Sequence, residues 1–122
     1  MAFYSCSGKF INIDLSNGWF GCVSGSTNYI TNLKCNWFVT NNTTCFVTNL
    51  IARIDNSVNG GYLKITNGQY TGNMTLYAST CKIVLQSFDI IGNLTLSNDY
   101  ANLEGCYVSG TVSWNSDYTK FT

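Results

Sequence analysis

The chain has 122 residues, six Lys plus Arg against six Asp plus Glu, and no histidine. That length makes one domain, the balanced charge offers no basic excess for a phosphate backbone or an anionic membrane face, and the missing imidazole excludes Ser-His-Asp and Cys-His catalysis and histidine metal ligation. Only 10% of residues are charged against 45% hydrophobic, so a core can form beneath a polar but sparsely charged surface.

Asn, Thr and Ser together supply 42 residues, aromatics 18, and proline none. The aromatics argue for a folded chain. Absent proline suits a backbone whose N–H groups are nearly all spent in sheet ladders. The first ten residues lack a basic stretch followed by an apolar run, and no later run approaches ~18 apolar residues, so neither a signal peptide nor a membrane span is expected.

In chain order, Phe10-Ile11-Asn12-Ile13-Asp14-Leu15 alternates as a strand does and Ser16-Asn17-Gly18 turns. Trp19-Phe20-Gly21-Cys22-Val23-Ser24-Gly25 echoes Leu103-Glu104-Gly105-Cys106-Tyr107-Val108-Ser109-Gly110. Residues 47–54 fit a strand at least as well as a helix, because breakers flank them. Asn59-Gly60-Gly61 turns into the alternating strand 62–66, which ends at Asn67-Gly68.

A repeat follows: Gly72-Asn73-Met74-Thr75-Leu76, Gly92-Asn93-Leu94-Thr95-Leu96 and Gly110-Thr111-Val112-Ser113-Trp114. Each reads glycine, polar, apolar, small polar, apolar. A strand precedes each glycine corner and another follows it, with a third near 81–87 and 101–103. Alternation directs Met74, Leu76, Leu94, Leu96, Val112 and Trp114 into one interior, the expected core. A unit this long with two or three short strands is one coil of a β-solenoid, in which stacked coils bury what one coil cannot. The expectation is a single all-β domain over 1–122, a short β-solenoid of about six coils with 60–114 its clearest part. An antiparallel β-sandwich is the alternative.

Candidate chemistry is thin. Cysteines at 6, 22, 35, 45, 81 and 106 show no C-x-x-C spacing. Most adjoin apolar stretches, so reduced thiols packed in the core are expected rather than disulfides or zinc. The carboxylates Asp14, Asp55, Asp89, Asp99, Asp117 and Glu104 form no pattern that pairs two across a cleft. No catalytic, cofactor-binding or metal-binding residue is assigned, and the chain reads as a non-enzyme without cofactor. Thr40, Thr48, Thr66, Thr75 and Thr95 do not recur at one period, against a threonine-ladder face of the ice-binding kind. The aromatics are too many for a narrow lumen, so Trp19, Trp37, Tyr118 and Phe121 are candidates for an interface.

The Gly-Asn-Leu-Thr-Leu coils, with Asn-Gly turns, few charges and abundant Asn, Thr, Ser and aromatics, resemble the β-helical modules of virion structural proteins: fibres, spikes and minor capsid components of double-stranded DNA viruses and phages. The resemblance covers 60–114. It implies a structural protein of a virus particle, made in a host cytoplasm and located in the virion. Its partners would be other structural proteins or copies of itself, as a homo-oligomer or hetero-assembly, without nucleic acid and without a membrane span. A carbohydrate-binding or adhesive module of a cell surface or filament is the alternative.

Overall fold

The structure is a computed structural model. It describes the backbone of all residues except 1, 6, 23, 54, 55 and 115–117, and leaves undescribed also the side chains of 2–5, 37, 39–41, 53, 56–60, 76–81, 97–99, 118 and 119. Nine strands follow in order: β1 (Ala2–Ser5), β2 (Gly8–Cys22), β3 (Thr27–Arg53), β4 (Asn56–Thr71), β5 (Met74–Ile91), β6 (Leu94–Glu104), β7 (Tyr107–Val108), β8 (Val112–Trp114) and β9 (Tyr118–Phe121). There is no helix among the described residues.

The long strands run around corners. They stack in the order β1-β2-β3-β4-β5-β6-β8, with β7 on β5 and β9 on β6. Every described pairing is parallel, which rules out the antiparallel sandwich. The chain is a β-solenoid of about five turns. Dividing 122 residues by about 19 per coil gives the expected six.

Coil length is not constant. Gly8 pairs with Asn28, 20 residues on, but Trp19 with Trp37, 18 on, and the register shifts between Leu15 and Trp19. The expected turn Ser16-Asn17-Gly18 therefore supplies two extra residues at a corner. Within β3, Asn49 Nδ2 donates to Asn32 Oδ1 at 2.8 Å across an offset of 17.

One corner recurs in every turn at a residue with left-handed φ: Asn12, Asn32, Asn49, Asn67, Ser87 and Gly105, all between 51° and 63°. Asparagine tolerates this conformation, and its amide can bond the equivalent amide one coil away. Asn32 Nδ2 donates to Asn12 Oδ1 at 2.8 Å, and Asn49 extends the ladder. The corner at Gly72, Gly92 and Gly110 is pinned differently. Asn73 Oδ1 accepts from the Asn93 N–H at 3.0 Å, and Asn93 Oδ1 from the Thr111 N–H at 2.8 Å. The asparagines after Gly72 and Gly92 thus bond the next coil. The echo between 19–25 and 103–110 is not positional: Gly21 stacks on Val39 inside a strand, while Gly105 is a left-handed corner.

Inward side chains form columns along the axis. Phe10 pairs with Ile30, Val47 with Ile65, Ile65 with Leu85, Leu85 with Leu103 and Leu103 with Phe121. Met74, Leu94 and Leu96 are buried as expected, and Val112 packs partly buried against the core. The Leu76 side chain lies outside the described residues. Trp114 corrects the expectation: its backbone stacks in register on Leu96, yet its side chain is 60% exposed. Alternation sends it inward, but no described layer covers it. Four aromatics also occupy the lumen, since Phe20, Phe38, Tyr70 and Phe88 are fully buried.

Candidate functional site

The last turn leaves the core open. β8 and β9 each pair on one edge only, with β6, and among the described residues nothing stacks on the other edge. An open cavity of about 380 Å³ sits there, lined by Leu103, Cys106, Val108, Val112, Phe121 and Thr122. Trp114 and the 49% exposed Phe121 meet edge to face at this end, ring centroids 5.7 Å apart. Both belong to inward columns, so this is the coil-stacking surface itself, presented to solvent with unpaired strand groups.

Of the expected interface residues, Phe121 is at this end and exposed. Trp19 is partly exposed at the far side of the stack, where its backbone pairs with that of Trp37. The side chains of Trp37 and Tyr118 lie outside the described residues. Tyr118 is placed by its backbone alone, above Tyr100 in β9.

A second surface escaped the sequence reading. The residue immediately before each inward residue of the Phe10-to-Phe121 column points outward, giving Lys9, Tyr29, Phe46, Lys64, Val84, Asn102 and Lys120 along one side. Lys9 pairs with Tyr29, Phe46 with Lys64, Lys64 with Val84, Val84 with Asn102 and Asn102 with Lys120. Beside it run Thr44, Tyr62, Lys82 and Tyr100. Tyr29 and Phe46 stack at 5.2 Å with planes 10° apart, and Phe46 meets Tyr62 at 5.6 Å. Four of the chain's six basic residues thus share one face. Among the described residues Glu104 is the acidic residue at its edge, in contact with Gln86 Nε2 at 3.4 Å. The signal was available in sequence as the residue preceding each inward position, but reading it needs the variable coil length.

The described cysteines are free thiols: Cys22, Cys35 and Cys45 are buried and Cys106 is half-buried. Cys22 and Cys45 approach with sulfurs 3.1 Å apart in a buried polar cluster. There Asn28 Nδ2 donates to Ser26 Oγ at 2.9 Å, and the Thr43 hydroxyl lies 3.5 Å from the Cys45 sulfur. The hydrogen bond with Cys45, reinforced by burial, pushes the Cys22 thiol well above its ordinary range. Burial pushes Cys35 up to about 12, against a lowering backbone hydrogen bond. Protonated Cys22 and Cys35 suit packing rather than nucleophilic attack. Cys6 and the side chain of Cys81 lie outside the description.

Among the described residues no three His, Cys, Asp or Glu side chains gather as a metal site. Asp89 pairs with Tyr107 and Glu104 with Gln86, in different columns; the side chains of Asp55, Asp99 and Asp117 lie outside the description. No helix of the described residues is long and apolar enough to cross a membrane. Neither a protein-family model, nor a curated protein, nor a solved structure matches the chain.

Proposed function

We propose that this chain is a non-enzymatic structural component of a virus particle, a minor capsid, fibre or spike element that acts through protein–protein assembly. The observation that carries the reading is the uncovered apolar end. Covering Trp114 and Phe121 removes roughly 250 Å² of apolar surface, worth about 6 kcal/mol before the costs of association. The free strand edges of β8 and β9 specify how it is covered, since a further parallel polypeptide layer satisfies their N–H and C=O groups. The resemblance of coils 60–114 to β-helical virion modules supplies the setting, a particle assembled in the host cytoplasm.

Two measurements test this. Sedimentation of the purified chain at micromolar concentration should show association that Trp114→Ser with Phe121→Ser abolishes, while circular dichroism keeps its β signature. Mass spectrometry of purified particles should detect the chain. A non-associating monomer that is also missing from particles overturns the proposal.

A further inference from the structure

We propose that the outward face carrying Lys9, Tyr29, Phe46, Tyr62, Lys64, Lys82 and Lys120 binds a linear acidic polysaccharide along the solenoid axis. This does not depend on the uncovered end, which lies on a different surface. The first argument is charge. A chain of zero net charge places Lys9, Lys64, Lys82 and Lys120 on one side and a single described acid, Glu104, at its rim. Asp14 and Asp89 lie past the left-handed corner, on the adjoining side.

The second argument is spacing. In the column from Lys9 to Lys120 the lysines recur every third coil, at positions 9, 64 and 120, or about 14 Å apart at the usual strand separation. Lys82 lies in the neighbouring column, one coil beyond Lys64. Such sparse cations complement a polymer with one carboxylate every two or three sugars. A nucleic-acid strand carries a phosphate at about every 3.4 Å of rise and needs a far denser basic track.

The third argument is what lies between the lysines. Tyr29, Phe46 and Tyr62 form a contiguous aromatic strip at the 5.2 and 5.6 Å spacing of successive coils, and Tyr29 is 49% exposed. Aromatic rings pack against the apolar faces of pyranose rings. Along the strip's other side Thr48 stacks on Thr66 and Ile11 on Thr31. Threonine hydroxyls both donate and accept, as sugar hydroxyls require and phosphate oxygens do not.

The test uses the whole chain with hyaluronan fragments, which carry one carboxylate per disaccharide, neutral dextran and a dT oligonucleotide, read by affinity electrophoresis and calorimetry. The carboxylated fragments should bind, more weakly as salt rises, while dextran and the oligonucleotide should not. Lys64→Gln with Lys82→Gln, and separately Tyr29→Ala, should each weaken binding about tenfold or more. Lys34→Gln, off this face, should leave it unchanged. Thermal melting verifies that each variant is folded. Absence of carboxylate-glycan binding, preference for dT, or equal binding by the face variants overturns the proposal. None of these substitutions alters Trp114 or Phe121, so sedimentation reports on the assembly proposal separately.

Discussion

Replacing Gly68 by alanine should destabilise the chain far more than replacing Gly25, although both glycines have positive φ. Gly68 has φ +132°, pairs with Leu50 below and Phe88 above, and lies in the stack's interior. A Cβ there would stand 2.8 Å from both the amide nitrogen and the carbonyl carbon of Leu50 and closer still to its oxygen, where ordinary contact begins at 3.4 Å. The obstacle is backbone, so the coil must lift rather than a side chain turn. Lifting strains the ladder bonds on either side, at about 1 kcal/mol each, and loosens the fully buried Leu50 and Phe88. Adding about 1–2 kcal/mol for the left-handed backbone gives a loss of about 3–5 kcal/mol, a large share of a domain's stability. Gly25, at φ +82°, has no atom within 4 Å of the added carbon. Its alanine variant carries only the conformational cost, about 1–2 kcal/mol. Urea unfolding followed by circular dichroism measures both, and the midpoints should separate by at least about 2 kcal/mol at equal m. Coincident midpoints would show that coil-to-coil contact at Gly68 does not limit the fold.

Leu94→Ala should cost about 2–5 kcal/mol, because Leu94 is fully buried between Met74 and Val112. Val112→Ala, one layer further along the same column and only partly buried, should cost about 1 kcal/mol. The reverse order in urea unfolding would show that the open end is covered. Cys35 tests linkage. Its thiol is raised from 9.0 to about 12 by burial, so the folded chain keeps a proton that the unfolded chain loses first. The associated stability is complete below pH 9 and declines at about 1.4 kcal/mol per unit as pH rises towards 12. The stability difference between wild type and Cys35→Ala should therefore fall as pH rises from 9 to 12, because the alanine variant lacks this thiol. A difference independent of pH there would mean the thiol is not desolvated.

The recurring Gly-polar-apolar-polar-apolar units already specify stacked coils, because their alternation is strict at Met74, Leu94 and Leu96 and their asparagines stand where a corner needs a bond to the next layer. Those are local properties, written in composition and two-residue periodicity. What the linear pattern conceals is the coil length, which switches between 17, 18 and 20 as corners gain or lose residues. Thr48 and Thr66 therefore share a column with no fixed period to announce it, and Lys9, Lys64 and Lys120 fall into line only once every corner has been counted. Exposure at the end has a different origin. Trp114 follows the same inward alternation as Leu96, yet one is open and the other fully buried, because burial in a solenoid is conferred by the layer above. The sequence by itself determined which side chains face inward; tertiary stacking decided which of them are covered and which outward residues share a face, since both depend on contacts between coils far apart along the chain.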